Sequence, residues 1–246
     1  MDLSGKVALV AGGARMGEAL SARLAARGTG VAVSYRRSRE AAERAAQAAR
    51  ARGGSAVVLR ANLTNAGEVG TLVEGAVAQL GRLDFVVNLA STYRRTPFDA
   101  LTDEAWTAAL DVDLSAAFRL ARAAVPHLRA AGGGRIVHFA DWTAASGRPR
   151  YSGYLPYYVA KRALIGLTEA LALELAPDGI LVNAVAPGPI VPPPGLDAAA
   201  SAAVERETPL GRWGGADAVA DVVITLLETD FVTGETIRVD GGRHVK

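Results

Sequence analysis

A tyrosine and a lysine four residues apart, Tyr157 and Lys161, stand at the start of an apolar run, Leu155–Ala176, whose composition predicts a helix. Residues at i and i+4 share a helix face, so phenol and ammonium come to lie side by side. A neighbouring ammonium favours the phenolate. It is expected to lower the phenol from its ordinary pKa of about 10 toward a value useful for proton exchange at neutral pH. A second cluster is the turn Gly12-Gly13-Ala14-Arg15-Met16-Gly17, directly after the β-branched run Val7–Val10. Glycines there let a backbone bend sharply and approach a pyrophosphate, while the helix that follows offers unpaired N–H groups and a positive dipole end. The third is Tyr35-Arg36-Arg37-Ser38, closing the next β-branched run. An acid at that place would accept from the ribose hydroxyls of NAD; here two arginines and a serine, with Arg15, suit a 2′-phosphate instead, so NADPH is expected over NADH.

Other chemistries are excluded. The chain has no cysteine, so thiol nucleophiles, thiolate metal sites and disulfides are absent, and its three histidines (His127, His138, His244) lie too far apart in sequence to form a metal-ligand pair. No metal is expected. A net charge of +2 over 246 residues argues against nucleic acid as a bulk electrostatic partner. No secretory leader is evident at Met1–Lys6, and no uncharged apolar stretch reaches the ~18 residues of a membrane span, so a cytoplasmic protein is expected.

The elements that must position these residues alternate along the whole chain. Strands are predicted at Val7–Val10, Val31–Tyr35, Ala56–Arg60, Phe85–Asn88, Arg135–Phe139, Leu181–Val185 and Thr236–Val239. Helices are predicted at Met16–Arg27, Arg39–Arg52, Ala66–Leu80, Thr102–Ala131, Leu155–Ala176 and Ala216–Glu228. The strands are apolar on both faces, as in a parallel sheet covered on both sides, and strict alternation implies right-handed crossovers. The expectation is a single α/β domain over 1–246: a Rossmann-like, doubly wound sheet of about seven parallel strands with helices on both faces. Ala144–Tyr154 reads as a loop, and the proline-rich Pro187–Leu196 as a lid-like segment at the strand ends, where ligands of such sheets bind.

Several motifs in order resemble the short-chain dehydrogenase/reductase family over almost the whole chain. They are the glycine turn, Asp84-Phe85-Val86-Val87-Asn88-Leu89-Ala90-Ser91, Tyr157/Lys161, Val182-Asn183-Ala184-Val185-Ala186-Pro187-Gly188, and Phe231-Val232-Thr233-Gly234 with Val239-Asp240-Gly241-Gly242. The resemblance implies hydride transfer between NADP(H) and a carbonyl or imine of a small molecule. Tyr157 would act as the acid, and Lys161 would hold the nicotinamide ribose and set the tyrosine pKa. It places the cofactor against Gly12, Arg15, Met16, Gly17, Tyr35, Arg36, Arg37, Ser38, Asn62, Leu63, Asn88, Ala90, Ser91, Lys161, Pro187, Gly188 and Ile190. It also implies assembly as a homotetramer or homodimer.

The chain departs from the family pattern at several places. The glycine turn is one residue short, Leu89 replaces an asparagine, Asn62 replaces an aspartate, and Asp113 stands where an asparagine is usual. Asp141 occupies the place of the substrate-holding serine, which resembles the pteridine reductase branch. A carboxyl can serve a ring nitrogen as donor or acceptor. The alternative is that Asp141 caps a helix or sits in a loop while Ser146 or Ser152 supplies the hydroxyl. Tyr93 and Trp142 follow strand ends and could stack on a flat substrate, or Trp142 could only cover the core edge. The competing functions are a reductase of carbonyl or pteridine-like C=N groups, a 3-oxoacyl thioester-type ketoreductase, and a nucleotide-binding protein without turnover. Asp113, if ionised, would oppose phenolate formation at Tyr157.

Overall fold

The computed structural model describes residues 1–13, 15–193 and 195–246; Ala14 of the glycine turn and Pro194 of the proline-rich segment lie outside the described residues. Short β-branched runs form β1 (Val7–Ala11), β2 (Gly30–Tyr35), β3 (Ala56–Arg60), β4 (Phe85–Asn88), β5 (Gly134–Phe139), β6 (Ile180–Pro187) and β7 (Thr236–Val239). They pair in parallel in the order β3-β2-β1-β4-β5-β6-β7. The chain steps outward from β1 to β3, then returns to place β4 on the other side of β1. That reversal opens a crevice beyond the carboxyl ends of β1 and β4.

Alternate strand residues feed two cores. On one face Val10, Val33, Phe85 and Val137 pack against α1 (Gly17–Ala25), α2 (Arg39–Arg50) and α9 (Ala216–Glu228). On the other Leu9, Val86, Ile136 and Val182 pack against α3 (Ala66–Leu80), α5 (Ala116–Ala130) and the end of α7 (Leu155–Leu175). The seven-stranded, doubly wound arrangement is the one expected from the alternation of periods. No helix among the described residues is long and apolar enough to cross a membrane.

Three local features differ from the expectation. The stretch Thr102–Ala131 is not one helix but α4 (Asp103–Leu110), a π-helical turn at Asp111–Ser115, and α5. The widened turn re-aims its side chains, which is how such insertions serve sites, and it buries Asp113. A four-residue helix, α6 (Trp142–Ala145), follows β5, because Asp141 caps it by accepting from the Thr143 N–H. Beyond the prolines, the alanine-rich α8 (Ala198–Glu207) starts on an Asp197 cap but buries none of its residues.

Candidate active site

At the crevice, Gly12 and Gly13 have φ of +79° and +93°, conformations that glycine adopts without penalty. A Cβ on Gly12 would stand 3.1 Å from the Ala90 backbone, and one on Gly13 would stand 2.3 Å from a Leu89 methyl. The turn is thus pressed against the end of β4, and Leu89 fills the space beneath it. Met16 precedes α1, and the Gly17 N–H donates to the Gly13 carbonyl at 2.7 Å. Arg36, Arg37 and Ser38 are exposed just past β2, Arg15 is exposed on the turn, and Tyr35 is half-buried against the core. Neither Arg15, Arg36 nor Arg37 takes part in an ion pair among the described residues. Asn62 forms an Asx turn to Thr64 after β3, and its neighbour Leu63 is buried. Asn88 accepts from the Ala90 N–H at 3.1 Å. Past Pro187, Gly188 packs so closely on Asp240 that a Cβ would come within 2.6 Å. The Ile190 side chain is part of the core and its carbonyl accepts from Gly215.

At the other end of the crevice, α7 brings Tyr157 and Lys161 up beside β5. The Tyr157 hydroxyl donates to Asp141 Oδ2 at 3.0 Å. Asp141 Oδ1 accepts from the Thr143 N–H at 2.7 Å and its hydroxyl at 2.6 Å. Asp141 is therefore both the cap of α6 and the partner of the tyrosine, one oxygen for each. The alternative hydroxyls are elsewhere: Ser146 donates to the Trp142 carbonyl at 2.6 Å, and Ser152 faces an outer apolar hollow. Lys161 Nζ donates to the Phe139 carbonyl at 2.7 Å and stands 3.4 Å from Asp113, with side-chain exposures of only 2% and 0%. Asp113 also accepts from the Ser91 hydroxyl at 2.6 Å, from the Thr92 N–H at 3.3 Å and from the Thr92 hydroxyl.

This wiring corrects the expected effect of the lysine. Tyr157 is held well above its ordinary pKa, first by burial, then by the negative charges of Asp141 and Asp113. The ammonium is 5.7 Å from the ring centroid and already paired, so it does not offset them. Burial lowers Lys161 itself, while Asp113 opposes the shift. His138, on the same strand and fully buried, is pushed down to about 4 by burial and by Lys161. Neither of its ring nitrogens has a hydrogen-bond partner among the described residues. No group of three His, Asp or Glu side chains among the described residues is placed to hold a metal.

Aromatic rings wall the reactive pair. Tyr93 stacks on Tyr154 at 4.7 Å and meets Tyr157 edge-on at 4.9 Å. It does so at φ +32°, the one positive value outside glycine among the described residues. The space left between Tyr93, Asp141, Arg150, Tyr154 and Tyr157 is about 10 Å³. Next to it lies an apolar hollow of about 260 Å³ bounded by Phe98, Tyr151, Leu155, Tyr158 and Val159. Trp142 is buried between the Arg150 and Arg243 guanidiniums, at 5.5 and 5.6 Å, with Tyr151 edge-on to it at 6.5 Å. Of the two readings of Trp142, the buried one fits its position, and Tyr151 and Tyr154 stand in the wall instead. The recurrence of Tyr151, Tyr154 and Tyr157 every three residues was the available signal. Thr143, two residues past Asp141, was not foreseen either.

Comparison with known proteins agrees with this layout. The model of the family described as enoyl-(acyl carrier protein) reductase matches residues 10–244. The chain is 34% identical over 246 residues to a 3-oxoacyl-[acyl-carrier-protein] reductase of Staphylococcus aureus, covering 98% of each. It is 36% identical to a protein of the same description from Synechocystis, over 98% of this chain and 97% of that one. A short-chain dehydrogenase/reductase from Serratia marcescens superposes with a TM-score of 0.90 at 32% identity, over 99% of this chain and all of the other. With the sheet order, the glycine turn and the Tyr157/Lys161 pair all in place, this chain belongs to the short-chain dehydrogenase/reductase family of oxidoreductases.

Proposed function

We propose that the chain is an NADPH-dependent reductase of a carbonyl or pteridine-like C=N bond in a small, flat molecule. The observation that carries this reading is the 3.0 Å hydrogen bond from Tyr157 to Asp141, beside a buried lysine and within an aromatic wall. The glycine turn suits a pyrophosphate, because Gly12 and Gly13 take positive φ, pack tightly on the end of β4 and lead into the N-terminus of α1. Arg15, Arg36, Arg37 and Ser38 would hold the 2′-phosphate, and Lys161 and Ser91 the nicotinamide end. When bound, NADPH supplies the hydride. The protein's own residues do the rest. Tyr157 delivers its phenolic proton to the substrate oxygen or nitrogen, and its raised pKa keeps that proton in place until then. Asp141 orients the hydroxyl and faces the substrate's polar edge. Tyr93 and Tyr154, stacked on each other, wall the phenol off from water.

A second reading, a 3-oxoacyl thioester ketoreductase, is favoured by the descriptions of the relatives and by the apolar hollow of about 260 Å³, which suits an alkyl chain. No loop hydroxyl replaces the family serine in either case; Thr143 is the hydroxyl closest to hand. The test is NADPH oxidation followed optically with a dihydropteridine, an acetoacetyl thioester and simple diketones. Pteridine turnover lost in Asp141→Ala and Tyr157→Phe supports the first reading, and turnover of thioesters alone supports the second. Binding of NADPH with no turnover of any substrate would leave a nucleotide-binding protein and refute both. Arg36→Ala/Arg37→Ala should weaken NADPH while leaving NADH little changed; equal losses for the two cofactors would remove the phosphate assignment.

A further inference from the structure

Arg243 lies past β7, outside every motif considered above, and its side chain is buried. Its Nη1 donates to the Val204 carbonyl at 3.1 Å and to the Thr208 hydroxyl at 3.4 Å, and its Nη2 pairs with Glu207. These are the last turn of α8 and the residue after it. The same guanidinium lies over the Trp142 ring at 5.6 Å, and Tyr151 meets that ring edge-on at 6.5 Å. One side chain therefore joins the end of α8 to the Trp142 ring of α6, and through that ring to Tyr151 in the tyrosine loop.

The need for such a contact follows from α8 itself. None of the ten residues of α8 is fully buried and residues 200–205 are half-buried, so apolar packing docks the helix only shallowly, and short isolated helices are marginal in water. Polar contacts hold it at both ends: the Trp213 indole N–H bonds to Ser201 in its first turn at 3.0 Å, and the Arg243 fork and Lys246, whose Nζ donates to the Arg206 carbonyl at 2.9 Å, hold its last. Charge-assisted hydrogen bonds of this kind are stronger than neutral ones, and a planar guanidinium serves several acceptors and a ring face at once where an ammonium cannot.

We propose that Arg243 is a positioning residue of the substrate pocket, clamping α8 to Trp142 and Tyr151 so that helix and aromatic wall are held as one unit. The proposal rests on the reading that the space beside Tyr157 and Asp141 receives the substrate. It assigns Arg243 to substrate binding, not to the proton or hydride steps. Loss of the clamp frees α8 and lets Tyr151 move, weakening substrate binding while leaving the cofactor end untouched.

Three variants test it: Arg243→Met, Arg243→Lys, and Glu207→Gln, which breaks the ion pair at an exposed partner and leaves the buried side chain intact. The first readout is trypsin cleavage at Arg206 and Arg212, resolved by mass spectrometry of the fragments. Cleavage of a locally opened segment tracks the population of the open form, so Arg243→Met should be cut there about tenfold faster, and the other two by a smaller factor. The second is kinetic: KM for whichever substrate is turned over rises about fivefold or more, with kcat and NADPH affinity within about twofold. Cleavage at the wild-type rate in folded Arg243→Met and Glu207→Gln overturns the clamp. Faster cleavage with an unchanged KM overturns its link to the substrate. Absence of turnover in the wild type refutes the reductase reading, while the proteolysis still decides the clamp.

Discussion

The Lys161–Asp113 pair makes a quantitative demand. Both side chains are sealed from solvent and 3.4 Å apart. At an effective dielectric of about 20, unit charges at that distance attract by about 5 kcal/mol. Much of that offsets the desolvation of two ions, so the pair adds little net stability, whereas removing one partner leaves an uncompensated buried charge and costs about 3–5 kcal/mol. Lys161→Met falls at the lower end, because Asp113 keeps donors from Ser91 and Thr92. Asp113→Asn leaves the ammonium with the Phe139 carbonyl as its remaining partner among those described. The double variant has neither charge, and it should recover about 2–4 kcal/mol relative to the sum of the single losses. Urea unfolding of the four proteins at pH 7, with linear extrapolation, measures this coupling. The sign of its pH dependence is set as well. Burial lowers the folded pKa of Lys161 below its unfolded value, so the unfolded chain binds more protons as pH climbs toward that value, and stability rises there. Asp113→Asn removes the charge that opposes the lowering, so its penalty should shrink between pH 7 and about 9. Additive losses would refute the reasoning, because they would mean the two charges do not share one buried interaction.

Three other outcomes follow from the same geometry. Asp141→Asn removes a negative charge 3.0 Å from the Tyr157 hydroxyl. That charge is one of the causes that hold Tyr157 above its ordinary pKa, after burial, so its loss brings the phenol down. The alkaline rise of alcohol oxidation with NADP⁺ should move to lower pH, and a pH profile that superimposes on wild type would contradict it. His138 titrates at about 4 in the fold against ~6.5 unfolded. Its contribution is therefore intact above pH ~6.5 and declines as pH falls to about 4, a loss of about 3 kcal/mol that His138→Asn should not show in thermal unfolding at pH 7 and 4.5. Gly12→Ala places a methyl 3.1 Å from the Ala90 backbone at φ +79°. It should lower stability by about 1–3 kcal/mol and weaken NADPH binding; calorimetry showing neither would mean the turn is not a close-packed cradle.

The fold was legible because its signal is distributed. Each strand is short and doubly buried and each long helix amphipathic, so the alternation survives an error at any single boundary. The failures are local and share a cause. A π-helical turn at Asp111–Ser115 alters no hydrophobic period, and α6 exists only because a residue read for its chemistry, Asp141, also caps a helix. α8 is short and buries no residue fully, so it rests on its alanines and an Asp197 cap, with no hydrophobic period to announce it. At the site, the partners of Tyr157 could be named from type and order, but not the direction of its pKa shift. That direction depends on where Lys161 places its charge, and the residues that decide it, Phe139, Ser91 and Thr92, act through a carbonyl, a hydroxyl and a turn. Such partners have no motif.

That direction bears on how the site would work. A site with its lysine close to the phenol and uncompensated favours the phenolate, the form needed to take a proton from an alcohol. Here the ammonium is balanced by Asp113, and a second carboxylate sits against the hydroxyl itself. Both charges and the burial favour the protonated phenol, the form needed to give a proton away. The overall equilibrium belongs to the reactants and no side chain alters it. What the two carboxylates set is the pH range in which each direction is fast: reduction stays supplied with acid across neutral pH, while oxidation must wait for alkaline conditions. On the reading proposed above, replacing an asparagine and a serine by aspartates is a single adjustment made at two positions, and it turns a reversible acid–base pair into one poised for reduction.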